Sequence, residues 1–371
     1  MKFEVAKPLF YEALQIAMNA VPAKSTLQIL NNFLFNLEGN VLEICATDLD
    51  LGVRIKLEVN GAEDGKIVVN ARDLTDIIKD QEDAPVVFVV NDYVIHLKVA
   101  RYECRLTGFD AGEFPQIAHV EGNRCIELTG QDLAFLAEKT LFAVSQDVTR
   151  LALNGVCMEH SDNLISLTAT DGTRLGHARV DYESEPWTEG VILPPKALYY
   201  VLKIAKHDQQ VDVKIDEGFA QFSTENVQIF TKLLDGPYPK YQNVIPVDFS
   251  KTAVFNKDTL QRVVRRVAAL AYAKNKQVIL NFLSDSQAEA YNRNQDKGGE
   301  SREDLATRYE GEEGFKISFN ANYLLEILKM CPADEVRLKM NNQVGACILE
   351  PVGEGMPFYF LLMPLRLTDG L

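Results

Sequence analysis

The sequence predicts an α+β fold assembled from three tandem copies of one lobe, each with two helices and about eight strands. Three observations carry this. First, a strand–turn–helix segment recurs at 65–79, 190–203 and 314–329. Its helix bears an apolar stripe at i, i+3 and i+4: Leu74/Ile77/Ile78, Leu198/Val201/Leu202 and Leu324/Ile327/Leu328. A lysine closes each stripe (Lys79, Lys203, Lys329), and these lysines stand 124 and 126 residues apart. Second, another amphipathic helix recurs in the same frame. Its stripes are Leu9, Ala13, Ile16, Ala17, Ala20, then Leu133, Leu136, Ala137, Thr140, Leu141, Val144, then Leu260, Val263, Val264, Val267, Ala268, Ala271. Third, Ala46–Gly52 echoes Ala169–Gly176 at an offset of 123, with no counterpart in the last third of the chain. Independent signals at one offset mark a tandem repeat. The lobes are read as 1–119, 120–245 and 246–371.

Between the helices lie short apolar runs bounded by Gly, Asn and Asp. Examples are Val86–Val90, Tyr93–Val99, Leu164–Thr168 and Val227–Leu234. Short polar turns join neighbouring runs, so the sheets are expected to be largely antiparallel. Open sheet edges at lobe boundaries are a pairing hazard that closure into a ring removes. The segment Asp285–Glu313 holds nine acidic and four basic residues and few large apolar ones. It reads either as a solvated loop with an edge strand or as a charged contact surface.

Composition narrows the class. The 371 residues are 47% hydrophobic and 25% charged, ordinary globular usage. No apolar run approaches the roughly 18 residues of a membrane span, and Met1-Lys2-Phe3-Glu4 lacks a secretory leader. The six cysteines (45, 104, 125, 157, 331, 347) are never closer than 16 positions. They read as scattered reduced thiols of a cytoplasmic protein, without a disulfide frame or metal site. The net charge of −15 argues, as a sum, against a tight nucleic-acid binder.

Catalytic signatures are missing. There is no Gly-x-x-x-x-Gly-Lys-Ser/Thr cradle, no Gly-x-Gly-x-x-Gly between strand and helix, no His-Glu-x-x-His pair and no Gly-x-Ser-x-Gly elbow. His96, His119, His160, His177 and His207 have no ligand spacing. Asp48, Asp50 and Asp171 are candidate acid/base carboxylates. The competing reading is that Asp48 and Asp171 are equivalent turn residues bonding their own backbone. Cys45 and Cys157 sit on apolar runs and read as core residues before nucleophiles.

Met1-Lys2-Phe3, Leu27–Asn32, Ala169-Thr-Asp-Gly-Thr-Arg-Leu175 and Met363-Pro-Leu-Arg-Leu367 together resemble the bacterial DNA polymerase III β subunit, the sliding-clamp family, from end to end. The resemblance implies a non-catalytic processivity factor without cofactor or metal. It implies a head-to-tail homodimeric ring of six lobes around duplex DNA, helices lining the hole and antiparallel sheets outside. Partners are then double-stranded DNA without sequence preference, the polymerase III catalytic subunit, the clamp loader and other proteins with a clamp-binding motif; no membrane is involved. Helix 257–271 carries Lys257, Arg262, Arg265 and Arg266 against Asp258. Lys79, Lys203 and Lys329 are equally well read as solvated helix ends and as DNA contacts. A ring held by topology needs little affinity, so an acidic total is compatible with it.

Residue by residue, the resemblance implies DNA contact at Lys24, Arg72, Gln146 and Lys196. Pro195, Gln242 and Asn243 stand where relatives often carry basic residues, and Leu151 and Ala152 where some carry tyrosines. A peptide cleft between the second and third lobes is implied at Arg150, Leu153, Thr170, Leu175, Pro239, Val244, Asn320, Tyr323, Val344, Leu361, Met363, Pro364, Leu365 and Arg366. Its ligands are short segments with a Gln followed by Leu and Phe side chains. Thr173 replaces a frequent histidine there and Ala346 a frequent serine. Plain core packing is the other reading of its apolar members. The dimer seam is implied to place Cys104 and Arg105 against Ala269, Leu270, Glu300, Glu303 and Asp304; Cys104 and Ala269 are smaller than in relatives. Two other classes stay open on residues alone: a duplicated-lobe enzyme with carboxylates at lobe junctions, and a static three-lobed scaffold.

Overall fold

The structure is a computed structural model that describes residues 1–117, 120–122, 124–187, 189–271, 276–294, 299–353 and 356–367. His119 and residues 295–298 lie outside the described residues. One pattern of elements is run through three times. The first pass is β1 (Lys2–Ala6), α1 (Lys7–Met18), β2 (Asn32–Glu38), β3 (Val41–Thr47), β4 (Leu51–Glu58), β5 (Asn60–Glu63), β6 (Gly65–Asn70), α2 (Ala71–Lys79), β7 (Pro85–Asn91), β8 (Val94–Val99) and β9 (Tyr102–Thr107). The second is β10 (Arg124–Thr129), α3 (Gly130–Glu138), β11 (Val156–Ser161), β12 (Leu164–Thr170), β13 (Arg174–Asp181), β14 (Val191–Leu193), α4 (Pro195–Ile204), β15 (Gln210–Ile215), β16 (Phe219–Ser223) and β17 (Val227–Lys232). The third is β18 (Lys251–Asn256), α5 (Lys257–Val267), β19 (Gln277–Phe282), β20 (Gln287–Asn294), β21 (Gly299–Ala306), β22 (Arg308–Glu310), β23 (Phe315–Asn320), α6 (Ala321–Met330), β24 (Glu335–Met340), β25 (Cys347–Pro351) and β26 (Phe358–Leu362).

The helices start where the sequence supplies caps. Asn70, Asn256 and Asn320 accept from the backbone of Asp73, Thr259 and Asn322 at 3.0 Å each. Thr129 and Asp132 bond each other's backbone N–H groups ahead of α3, a capping box. Proline opens α1 and α4, which have no need of the missing donor there. The buried faces of α5 (Leu260, Val263, Val264, Val267) and α6 (Ala321, Leu324, Ile327, Leu328) match the expected stripes; α2 buries Leu74 and Ile78 with Ala71 and Thr75, leaving Ile77 half-buried. The first stripe needs correction. Ala13, Ala17 and Ala20 are buried as expected, but Leu9 is 52% exposed and Phe10 and Leu14 are buried in its place. The 3.6-residue period therefore starts from Phe10 and not from Leu9.

Compactness divides the chain into two units. The first, Met1–Leu133 with Lys196–Leu234, holds a five-stranded sheet, β5-β1-β7-β8-β9, and an eight-stranded sheet, β10-β15-β16-β17-β4-β3-β2-β6. Phe3 stacks on Phe88 at 4.9 Å in its core. The second, Ala134–Pro195 with Asp235–Leu371, holds a nine-stranded sheet, β14-β11-β12-β13-β26-β25-β24-β18-β22, and a four-stranded sheet, β21-β20-β19-β23. All strand pairs are antiparallel among the described residues. The described part of the acidic segment 285–313 contains the expected edge strand, β21, but is mostly strand and not loop. It forms the β20–β21 hairpin and β22, with Ala288, Ala290 and Leu305 buried beneath its charged outer face. Alternation of small apolar and charged residues hides that strand pattern from a search for large apolar ones.

The echo between Ala46–Gly52 and Ala169–Gly176 is one turn built twice. Asp48 Oδ1 accepts from the backbone N–H groups of Asp50 and Leu51 at 3.1 and 2.7 Å; Asp171 Oδ1 accepts from those of Thr173 and Arg174 at 2.8 and 3.0 Å. The Thr47 and Thr170 hydroxyls donate to Leu51 O and Arg174 O and accept from Leu49 N and Gly172 N. Both aspartates are turn formers. Gly52 and Gly176 are not equivalent, however: Thr47 pairs with Gly52, whereas Thr170 pairs with Leu175. The position after each aspartate is left-handed, φ 89° at Gly172 and φ 82° at Leu49. A side chain there costs about 1–2 kcal/mol, and glycine gives back about 0.5–1 through chain entropy. Leu49 is 54% exposed and loses little packing when removed. Leu49→Gly is therefore expected to raise stability by up to about 1 kcal/mol and Gly172→Ala to lower it by about 1 kcal/mol. Urea midpoints of the two variants moving in the same direction would sink the equivalence.

Candidate functional site

The second unit contains an apolar cleft of about 530 Å³. Its floor comes from the junction of β13 and β26, where Leu175 pairs with Leu361. The 3-10 turn Leu151–Asn154 brings in Leu153, with Arg150 just before it. The stretch leading into the 3-10 turn Tyr241–Val244 supplies Pro239, and that turn supplies Val244. Thr170 and Met363 complete the part of the wall that the resemblance had named. Beneath lies a buried cluster of Leu175, Tyr241, Ala346, Ile348 and Leu361.

The same wall includes Gly172, Arg174, Lys240, Tyr241 and Ala346, of which the resemblance points to Ala346 alone. Arg174 was legible only as part of the repeated turn. Its guanidinium bonds Asp171 Oδ2 at 3.0 Å, meets the Glu326 carboxylate and lies 4.2 Å from the centre of the Tyr323 ring. Tyr241 donates to Glu159 Oε2 at 2.7 Å; burial first, then this bond to a carboxylate, pushes its phenol far up. Tyr238 accepts from Thr170 N at 3.1 Å, and burial holds its proton on as well. His177 stacks on Tyr359 at 4.8 Å nearby; burial, then the Arg179 charge, lowers it to about 4, so it is neutral at physiological pH.

Six of the implied cleft residues do not line this cavity. Asn320 caps α6, and Tyr323 carries Arg174. Val344 is 64% exposed in a turn where Asn342 accepts from Val344 N and Gly345 N. Pro364, Leu365 and Arg366 follow Met363 as a strap. Met363 N donates to Thr173 O, Leu365 exchanges bonds with Ser318, and Gln277 Nε2 donates to Arg366 O.

The implied DNA contacts fall in both units. In the first, Lys24 is exposed in the turn after α1, and Arg72 Nη2 donates to the neighbouring Ala23 O at 3.1 Å. Lys196 opens α4 and is paired with the Asp48 carboxylate. In the second, Gln146 is exposed between Ser145 and Asp147. On α5, Arg266 is spent on Glu303, while Arg262 donates to Thr259 Oγ1. The implied seam residues lie on open sheet edges or beside them. Cys104 and Arg105 are on β9, the last strand of the five-stranded sheet. Glu300, Glu303 and Asp304 are on β21, the last strand of the four-stranded sheet, with Ala269 and Leu270 in the 3-10 turn after α5.

The carboxylates and thiols weighed for catalysis are otherwise engaged. Asp48 and Asp171 are taken up in turns with Lys196 and Arg174. Burial pushes the Cys45 and Cys157 thiols to about 12, far from the thiolate a nucleophile needs. Among the described residues no group of three or more His, Cys, Asp or Glu is placed to hold a metal ion.

Comparison with known proteins agrees with this arrangement. Residues 1–118, 127–240 and 242–366 match the N-terminal, central and C-terminal domains of the DNA polymerase III beta subunit. The chain is 30% identical to the beta sliding clamp of Bacillus subtilis, covering 99% of this chain and 100% of that one, and 29% identical to that of Pseudomonas putida with the same coverage. Among solved structures, a DnaN sliding clamp from Pseudomonas aeruginosa bound to griselimycin superposes with a TM-score of 0.93 at 26% identity, over 99% of this chain and 100% of that chain. A DNA polymerase sliding clamp from Bacillus subtilis also gives 0.93 at 26%, over 99% of each chain. Three domain matches in order, end-to-end relatives and one shared fold place this chain in the DNA polymerase III β subunit family, the bacterial β sliding clamps.

Proposed function

We propose that two copies of this chain close head to tail into a ring around duplex DNA, and that the cleft of the second unit receives apolar peptide segments of the proteins the ring tethers. The chain is a DNA sliding clamp, a non-catalytic processivity factor of DNA polymerase III. The ring is built from lobes at 1–119, 120–245 and 246–371, is opened and closed by the clamp loader, and works in the cytoplasm. No described helix is long and apolar enough to cross a membrane.

The observation that carries closure is a register used twice. β4 pairs with β17, setting Gly52, Val53 and Arg54 opposite Phe230, Ile229 and Gln228. β13 pairs with β26, setting Leu175, Gly176 and His177 opposite Leu361, Phe360 and Tyr359. Following the ladders through each repeat makes β21 the third member of the set β4, β13, and β9 the third member of the set β17, β26. Those two strands end their sheets, each without a partner on its outer side among the described residues. The same register sets Ser301 against Cys104, Glu300 against Arg105 and Arg302 against Glu103 in a second copy. Opposite charges meet at both flanking positions, which favours the pairing. Within one chain these charges already have partners, Glu303 on Arg266, Glu300 on Arg293 and Arg302, and Glu103 on Lys98, so closure exchanges partners at the flanking positions.

Three outcomes follow. Arg105→Glu or Glu300→Arg alone is expected to weaken the dimer by about 1 kcal/mol at each seam, on the order of 30-fold over two seams, and the double exchange to restore it; sedimentation equilibrium reads this against a 41.6 kDa chain. A dimer indifferent to both single changes would refute the register. Loaded on circular DNA, the ring should stay bound in high salt and leave once the DNA is cut, whereas an open binder loses affinity with salt whatever the DNA ends. Ending the chain after Leu362 keeps β26 whole but removes Met363 and the strap; peptide binding by fluorescence anisotropy should vanish while the dimer persists. Unchanged affinity would place the peptide elsewhere.

A further inference from the structure

We propose that Lys240 makes the cleft selective for apolar segments that carry a carboxylate beside their anchoring side chains. This rests on the reading of the cleft as a peptide site and adds the chemistry that the site selects. The cleft wall carries three cations, Arg150, Arg174 and Lys240, and no carboxylate. Two of the three are committed within the chain. Arg150 Nε bonds Asp147 Oδ2 at 3.1 Å, and the Thr149 bonds followed by this pairing hold the Asp147 carboxyl below the usual range. Arg174 is shared by Asp171 and Glu326 and covered by Tyr323.

Lys240 is different. It is exposed, and its ammonium has neither an acidic partner nor a hydrogen bond among the described residues. It stands between two cleft residues, Pro239 and Tyr241, and its carbonyl accepts from Asn243 N at 3.2 Å, which fixes its backbone at the start of the turn. An apolar ligand seated against Leu175, Val244 and Met363 passes beside an uncommitted positive charge at the cleft's edge. An acidic neighbour of the anchors gains a partner there without stripping one from the protein. A basic neighbour meets like charge at Lys240.

The test uses the full chain and amidated, acetylated peptides with the core Gln-Leu-Ala-Leu-Phe, extended by Asp or Asn at one end or the other, in competition anisotropy. At one of the two ends the Asp peptide is expected to bind about 2- to 5-fold tighter than its Asn partner, the range of an exposed pair. That ratio should shrink in high salt, fall to unity in Lys240→Gln and reverse in Lys240→Glu. Equal affinities for Asp and Asn at both ends, or a ratio that survives Lys240→Gln, would overturn the role of Lys240 and leave the cleft standing. If no peptide with this core binds at all, the cleft reading fails and Lys240 with it.

Discussion

A strand edge must be paired, covered or blunted, because its N–H and C=O groups otherwise invite any passing strand. This constraint organises the molecule. Two edges are settled inside the chain by joining strands of successive repeats, β4 with β17 and β13 with β26. That is why the compact units ignore the repeat boundaries: the middle repeat gives β10 and β15–β17 to one sheet and β11–β14 to another. Among the edges that remain, β9 and β21 are dressed with charge, Glu103 and Arg105 on one, Glu300, Arg302 and Asp304 on the other. Charge blunts an edge against strangers while an alternating pattern still admits one complementary partner.

The acidic total is reconciled with a DNA partner by the same economy. Several cations are neutralised where they stand: Lys196 by Asp48, Arg266 by Glu303, Arg302 by Glu300 and Glu289. On the clamp reading this suits a ring that must slide. Each fixed phosphate contact releases counterions and has to be broken for the protein to move, so a lining of few, weakly committed cations holds by enclosure with little friction.

Much of the fold was legible because its signals are local and repeated. The stripes of α2, α5 and α6 and the Asp48 and Asp171 turns needed only spacing and turn chemistry. Leu9 misled because a leucine beside Phe10 satisfies the same period one residue early. The β20–β21 hairpin was hidden because its buried positions, Ala288 and Ala290, are too small to register as an apolar strand. The cleft was legible only in part. Leu175, Leu361 and Met363 could be carried over from a resemblance, but nothing in the order of residues states that Lys240 and Tyr241 share a wall with Gly172. That follows from long-range packing of three segments.

The two inter-repeat junctions also explain why a cleft forms at β13–β26. Both use one register, so backbone geometry is not the cause. At β4–β17 the pair Gly52–Phe230 is sealed: Phe230 is 2% exposed with the Arg54 guanidinium 5.1 Å from its ring centre. Ile117, from the linker after β9, packs so tightly over Gly52 that a β-carbon there would come within 3.2 Å of it. At β13–β26 the pair is Leu175–Leu361, and the linker residue 124 positions after Ile117 is Tyr241. Its hydroxyl is tied to Glu159, so the ring stands as a wall where isoleucine acts as a plug. A flexible side chain, Met363, then closes the far side and can repack around ligands of different shape. Duplication thus supplied the same joint twice, and the side chains at a few equivalent positions decided which joint is filled from within and which is left for a partner.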